Sequence, residues 1–376
     1  MSEPIRVAQI MGRMDRGGVE TVVTNYYRWI DKSRVQYDFF LDETSSFPQK
    51  EELEKAGAGI YYVPPYGKIV PYIRTLRKLF TENGYRIVHA HINTMNVFPL
   101  YAAWRAHVPE RNCHNHSTAH IGEGKKTLMK YLLRPLDKLF ATNYFACGIR
   151  AGRWMYGNRC FDQGRVYVMN NAFDVDRFAF SAADRAALRG QIGLMDSTFV
   201  MGHVGRFTYA KNHRFLLQVF AELHKERPDS VLVLIGEGEM EAQVRRQVKD
   251  MGLDAAVRFL GVVPDAYRYY SVLDVFCLPS FYEGLSLVGL EAQANGLPCV
   301  FSENVPNEID LTGRVRFLPF DDGARAWAKT VLAISARRET DARAALPGFS
   351  VAEECVKLEQ LYLDFYHYGA KYAAKT

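Results

Sequence analysis

Twice along this chain a short β-branched or aromatic run gives way to a longer stretch of helical period, and each time the alternation then repeats. In the first series IRVAQIM (5–11), YDFFLD (37–42), IYYVP (60–64), RIVHAH (86–91), NYFACG (143–148) and VYVMNN (166–171) read as strands. After the first of them Val19, Val22, Val23, Tyr26, Tyr27 and Ile30 recur at the spacing of one helix face. Repeated βαβ forces a parallel sheet covered on both sides by helices. The pattern restarts at TFVMGHVGR (198–206) and runs on through a helix near 212–226, VLVLIGEG (231–238), a helix near 240–251, VRFLG (257–261), VFCLPS (275–280), a helix after Ser286 and PCVFS (298–302). Between the two series NNAFDVDRFAFSAADRAALRGQIG is polar and broken, so the boundary belongs near 172–195.

The expected organisation is therefore α/β, with two doubly wound, Rossmann-like domains at 1–175 and 176–354. A last segment, about 355–376, is expected to be helical. Two such domains should face a central cleft lined by the carboxyl ends of their strands, where ligands of doubly wound sheets bind. A length of 376 residues suits two domains rather than one core. No run of about 18 apolar residues is present, and MSEPIRVAQIMGRMDRGG carries no basic leader before an apolar stretch, so neither a membrane span nor a signal peptide is expected. The six cysteines, 113, 147, 160, 277, 299 and 355, are scattered without a C-x-x-C, which argues against disulfides and structural zinc and for a reducing cytoplasm. A net charge of +5 fits an anionic ligand or membrane surface without demanding either. The basic residues are not interleaved with aromatics along one face, so nucleic acid is not an expected partner.

The most informative stretch is FYEGLSLVGLEAQANGLP (281–298). Gly284 allows a close turn after a buried strand, Ser286 suits an N-cap, and Gly296 with Pro298 ends the helix. A helix N-terminus then points at the carboxyl edge of the sheet with its N–H groups and positive pole free. From Ser286 to Leu290 there is no acid, which keeps that pole open to an external anion such as a diphosphate. Glu283 stands before the helix and Glu291 about 7 Å along it, placed to accept from hydroxyls on either side of the anion. A nucleotide sugar, with ribose, diphosphate and hexose in a row, has that layout. Gly205, Arg206 and Lys211 in GRFTYAKNH follow the strand that opens the second domain, and two cations there would clamp a departing diphosphate. Gly236, Glu237 and Gly238 form a further turn suited to backbone contact with a flat base. Singly each element has a bland explanation: a solvated cation, an acidic helix, an ordinary βα turn. Their order within one unit is what is specific.

That order, GR-x4-K, then G-E-G, then E-G-L-S-L-x3-E-A-x-A-x-G-x-P, resembles the retaining glycosyltransferases of family 4, which have the GT-B fold. The likeness covers nearly the whole chain, is strongest from Gly202 to Pro298 and includes Gly17-Gly18. It implies that Glu291 holds the ribose hydroxyls. It implies that Glu283, with Gly284, Leu285 and Ser286, holds the donor sugar and β-phosphate, and that Arg206 and Lys211 stabilise the leaving diphosphate. Gly17 and Gly18 become a loop reaching the donor phosphates or the acceptor. The resemblance also implies one active-site histidine after the fifth strand of the first domain. CHNHST offers His114 and His116; His116 is favoured because Ser117 and Thr118 follow it. It implies transfer with retention, and a final helix that crosses back to the first domain. Asn171-Ala172 departs from the N-G that related chains often carry, so a stiffer hinge is expected.

The expected activity is sugar transfer from a nucleotide-diphosphate donor, a UDP-sugar above all, to a glycan or lipid-linked acceptor in bacterial capsule or exopolysaccharide synthesis. No cofactor is expected, and with no D-x-D among the cleft motifs no metal is required. Two rivals share the fold, a nucleotide-sugar epimerase and an inactive binding subunit; intact Arg206, Lys211, Glu283 and Glu291 speak against the second. The pairs His89/His91 and His114/His116, with His120 nearby, raise a zinc hydrolase as a third, though no acidic motif accompanies them. GKKTLMKYLLRPLDKLF (124–140) has Leu128, Tyr131, Leu132 and Leu136 on one face and Lys125, Lys126, Lys130, Arg134 and Lys138 around it. It reads either as a helix packed on its sheet with a solvated basic face, or as a contact with the inner face of the cell membrane.

Overall fold

The structure, a computed structural model, describes residues 3–15, 17–118, 125–335, 338–339 and 346–369. The chain divides into two compact units, Met1–Phe173 with Gly348–Thr376, and Asp174–Pro347.

The first unit holds seven strands: β1 (Ile5–Ile10), β2 (Val35–Asp42), β3 (Gly59–Val63), β4 (Ile87–Ala90), β5 (Glu110–Asn115), β6 (Asn143–Ala146) and β7 (Val166–Val168). All pair in parallel, in the order β3-β2-β1-β4-β5-β6-β7. The winding direction reverses between β1 and β4, so the loops after these two strands diverge and leave a crevice at the carboxyl edge. One face is apolar: Ala8, Ile10, Phe40, Val88, Ala90 and Cys113 pack against Tyr72, Leu76, Phe80 and Leu100. The other face mixes aromatic with polar groups, namely Gln9, Tyr37, Phe39, His89, His114 and Phe145, all buried. Two helices cover it. Gly18–Trp29 stacks Tyr27 on Tyr37, and the terminal helix Val351–Tyr368 sets Tyr362 edge-on to Tyr37 and Phe365 edge-on to Phe145. The terminal helix is tied down by a backbone bridge from Phe173 to Ser350 and by Glu359, which bonds Arg34 and the Asp31 amide.

In the second unit β8 (Phe199–Val204), β9 (Ser230–Ile235), β10 (Val257–Gly261), β11 (Val275–Leu278), β12 (Cys299–Ser302) and β13 (Val315–Leu318) form a parallel sheet in the order β10-β9-β8-β11-β12-β13. Its switch point lies between β8 and β11. Met201, Phe220, Leu232, Leu234, Cys277, Val300 and Trp327 make up one continuous core. Gly202 must be glycine, since a Cβ there would lie 2.2 Å from the Leu273 side chain.

Four elements depart from the sequence reading. The polar stretch read as a broken linker contains a helix, Ala182–Gln191, capped by Ser181, whose hydroxyl accepts from the Asp184 amide at 3.1 Å. The helix is anchored by a cation rather than by an apolar stripe: buried Arg189 donates to the Val272, Thr198 and Asp196 carbonyls and to Asp274. β5 is missing from the apolar runs, and only CHNHST marks its end, because its residues, ERNCHN, are nearly all polar, although most are buried. β13 and the helix Gly323–Ile334 that follows it complete the second unit and were also unread.

Candidate active site

At the carboxyl edge of the second sheet the turns after β8 and β9 are sewn together. The Gly205 amide donates to Ile235 O at 2.9 Å, Phe207 N to Glu237 O at 3.0 Å and Met240 N to Phe207 O at 2.9 Å. This explains the glycines. Gly236 sits at φ +133°, and a Cβ on it would lie 2.1 Å from the Gly205 carbonyl oxygen. One on Gly238 would lie 2.6 Å from the Phe207 oxygen. The Gly236 amide is itself spent on Gly261 O at 2.8 Å. The close approach these glycines permit is that of one loop to another.

Beyond the turn Asn212 adopts a left-handed conformation (φ 51°), and its side-chain oxygen caps the helix His213–Glu226. The kink directs Lys211 inward, where its ammonium lies 2.6 Å from Glu283 Oε1 with both side chains largely buried. Ser280 Oγ donates to the same carboxylate oxygen at 2.6 Å. Lys211 and Glu283, read separately in the sequence, are thus one ion pair joining the loops that flank the β8/β11 switch point. Arg206 is exposed, and its guanidinium has no ion-pair partner among the described residues. His203, on β8, was missed by sequence reasoning. It donates from Nδ1 to Cys277 O at 2.9 Å, while burial pushes its pKa down to about 4 and leaves Nε2 without a partner near Gly205 and Lys211.

The helix Leu287–Ala294 has no acidic residue in its first turn. Ser286 occupies its N-cap in extended conformation, but one expectation needs correction: the hydroxyl caps nothing. Ser286 Oγ is buried and has no hydrogen-bond partner among the described residues. A buried hydroxyl beside unspent helix N–H groups is the arrangement an anion's oxygens would complete. On this helix Glu291 accepts a hydrogen bond of 2.6 Å from the Tyr270 hydroxyl. Burial raises the Glu291 pKa to about 7, against the downward pull of Tyr270 and of the Lys211 charge. Tyr270 is fully buried, and nothing in DAYRYYS marks it apart from its neighbours. Glu283, Gly284, Leu285, Ser286, Glu291, Gly205, Arg206 and Lys211 therefore all belong to loops and one helix at the carboxyl edge around this switch point.

In the first unit Gly17 caps the helix Gly18–Trp29, and the Glu20 carboxylate folds against it, 2.1 Å from where a Cβ would stand. His116 lies just past the end of β5 and keeps 7% exposure, whereas His114, inside the strand, keeps none. The His116 amide donates to Asn93 Oδ1 at 2.8 Å, which pins it to the loop after β4. His89, His91 and His114 place ring nitrogens within 4.8 Å of one another, in a group of histidines only. His120 lies outside the described residues.

The helix Lys125–Phe140 does not bury the apolar face marked in the sequence. Leu128 is 63% and Leu132 65% exposed, and Tyr131, Leu136 and Leu139 are exposed as well. Asp137 is the residue it buries, with its pKa pushed up to about 9 by desolvation, so the carboxyl is neutral there. Among the described residues no helix is long and apolar enough to cross a membrane.

Comparison with known proteins agrees with this architecture. Residues 16–177 match the model of Glycosyltransferase Family 4, and residues 198–337 match that of Glycosyl transferases group 1. A putative glycosyltransferase EpsF of Bacillus subtilis is 35% identical over 87% of this chain and 86% of its own length. The Escherichia coli UDP-Gal:alpha-D-GlcNAc-diphosphoundecaprenol alpha-1,3-galactosyltransferase is 26% identical over 96% of this chain and 97% of its own. Among solved structures, Anabaena Alr3699/HepE in complex with UDP-glucose superposes with a TM-score of 0.78 at 20% identity, over 96% of this chain and all of its own. With a relative of 35% identity matched along most of both chains and family models on both units, this chain belongs to glycosyltransferase family 4, an enzyme built on the two Rossmann-like domains of the GT-B fold.

Proposed function

We propose that the chain moves a sugar from a UDP-sugar to a hydroxyl of a glycan or lipid-linked acceptor, with retention of configuration, in bacterial surface polysaccharide synthesis. The observation that carries this reading is the acid-free pole of Leu287–Ala294, with the unpartnered Ser286 hydroxyl at its mouth and Glu283 and Glu291 on either side. The diphosphate sits on that pole. Gly284, Leu285 and Ser286 hold the β-phosphate, Glu291 accepts from the ribose hydroxyls, and Glu283 accepts from the donor sugar. The C1–oxygen bond to the β-phosphate breaks with its electrons passing to the phosphate oxygen, where Arg206, Lys211 and the helix pole stabilise the charge. The acceptor oxygen bonds C1 on the same face and gives its proton to the leaving phosphate. Glu283 is already engaged by Lys211 and Ser280, which suits a binding carboxylate better than a covalent nucleophile. His116, with Gly17 and Gly18, serves the sugar or acceptor from the first domain. The charge stabilisation comes from side chains and helix pole, so the reaction requires no metal or cofactor.

The donor base is supported by the UDP-glucose bound to the Anabaena protein, and the acceptor class by the diphosphoundecaprenol named for the Escherichia coli relative. An acceptor carried on a lipid accounts for the helix Lys125–Phe140. Its exposed leucines are accompanied by five basic residues, and its single acid, Asp137, is buried, so the helix suits the anionic inner face of the cell membrane. The test is a thermal-shift panel of UDP-, GDP- and ADP-sugars without added metal, on wild type and Glu291→Ala. One UDP-sugar should raise the melting temperature of the wild type only. No shift with any donor at about millimolar concentration would sink the reading. Release of UDP only when acceptor is present separates transfer from epimerisation.

A further inference from the structure

The sheet face beneath the helix Val351–Tyr368 buries four imidazoles, an amide and a phenol in one connected group. His89 and His91 at the end of β4, and His114 and His116 at the end of β5, are each two residues apart, so all four rings leave the same face. They form two in-line pairs: His89 Nε2 to His114 Nδ1 at 3.2 Å, and His91 Nδ1 to His116 Nε2 at 3.0 Å. The pairs are stacked, with ring centroids 4.4 Å apart for His89 and His91 and 3.9 Å for His114 and His116. Gln9 and Tyr362 close the group. His91 Nε2 meets Gln9 Oε1 at 2.8 Å, Gln9 Nε2 donates to the Tyr362 oxygen at 3.2 Å, and Tyr362 meets His89 Nδ1 at 2.6 Å.

An amide oxygen only accepts and an amide nitrogen only donates, so Gln9 sets the sense of every bond. To reach Gln9 Oε1, His91 must carry its proton on Nε2. Its Nδ1 is then a lone pair, and His116 must donate to it from Nε2. That leaves His116 Nδ1 as a bare lone pair, and this buried atom has no partner among the described residues. Along the other arm Tyr362 accepts from Gln9 and donates to His89, which donates from Nε2 to His114. His114 Nε2–H is the other open end. The scheme needs each imidazole to hold one proton, and burial does push all four pKa values down. Because an amide passes no proton, the chain fixes tautomers and does not conduct. A metal would need these nitrogens to turn their lone pairs to one point, whereas they bond one another in two pairs.

We propose that Gln9 and Tyr362 are positioning residues for sugar transfer: acting through His91, they hold His116 as the Nε2–H tautomer and present its Nδ1 as an acceptor. Such an atom takes a hydroxyl hydrogen of the sugar or acceptor and repels phosphate or carboxylate oxygens. The proposal rests on the reading of His116 as a site residue, and the experiment separates the two.

In full-length protein carrying 15N-labelled histidine, two-bond proton–nitrogen spectra report which ring nitrogen is protonated, with His116 assigned by its loss in His116→Asn. Wild type should show His116 protonated on Nε2 alone. Gln9→Met should mix its tautomers and lower kcat/KM with the identified UDP-sugar about five- to tenfold, the worth of one neutral hydrogen bond. Tyr362→Phe, which keeps the ring and its packing, should move both readouts the same way by less. Neither substitution should lower kcat/KM further in the His116→Asn background. A wild-type His116 protonated on Nδ1, an equal loss from Gln9→Met with and without His116, or stoichiometric bound zinc in the purified protein would each overturn the proposal. Full activity of His116→Asn beside the expected spectra would overturn the site reading on which it stands.

Discussion

Replacing Glu291 by glutamine should stabilise the protein at pH 8 far more than at pH 5. Glu291 is half-buried, and desolvation raises its pKa to about 7 in the fold against an ordinary 4.5. Between those values the unfolded chain has released a proton that the folded chain retains, so stability falls as pH rises through this window. Above pH 7 the carboxylate is ionised in both states and the full cost remains. A shift of this size is worth about 3 kcal/mol, of which about 1 kcal/mol is already present at pH 5. Glutamine keeps an acceptor for the Tyr270 hydroxyl and never ionises. Any fixed cost of its buried NH2 is common to both pH values and cancels in the difference. The stabilisation of Glu291→Gln should therefore be about 2 to 3 kcal/mol greater at pH 8 than at pH 5. In a domain the size of the second unit that is roughly 5–10 °C of melting temperature. Scanning calorimetry of both proteins at the two pH values measures it. Equal shifts at both, or a variant that melts lower at pH 8 than at pH 5 relative to wild type, would refute the reasoning. Donor binding should show the opposite cost, because the carboxylate accepts ribose hydroxyls better than an amide does. KM for the UDP-sugar should rise about 10- to 100-fold in the variant. In wild type it should fall as pH rises through 7.

Two further outcomes follow from the same geometry. Lys211→Met should lower kcat about 10²- to 10³-fold, measured as acceptor-dependent UDP release, because it removes a cation at the departing phosphate and strands Glu283 with Ser280 alone. Lys211→Arg should recover part of the loss. On the helix Lys125–Phe140, Leu128→Glu with Leu132→Glu should cut sedimentation with anionic vesicles at least about tenfold, since each removes a leucine's worth of buried apolar area. Unchanged sedimentation would remove this helix from any membrane role.

The candidate site was legible where a residue's placement is set by its neighbours in the chain. The missing acid between Ser286 and Leu290, the glycine turn before it and the strand before that are local facts, and the structure sets them at one switch point. Partnerships between loops were not legible. Lys211 and Glu283 are 72 positions apart and form one ion pair, and Tyr270 reaches Glu291 from another segment, 21 residues away. The glycines of the 236–238 turn read as room for a base but are required by the neighbouring loop. Ser286 has the side chain of a cap, yet whether a hydroxyl folds back onto its helix or turns aside depends on what surrounds it.

Periodicity alone settled that this chain makes two parallel, doubly wound sheets, because a strand followed by a helix can return to the same sheet in essentially one way. It failed where polar residues fill core positions. β5 is a central strand written in asparagine, histidine and arginine, and the helix Ala182–Gln191 is held by a buried arginine. Hydrophobic pattern cannot find such elements, since their burial is made tolerable only by partners from other parts of the chain. The same holds for the four histidines. Their spacing placed them in pairs on one face; only tertiary structure set the pairs against each other, brought Gln9 and Tyr362 to them and so determined where each proton lies.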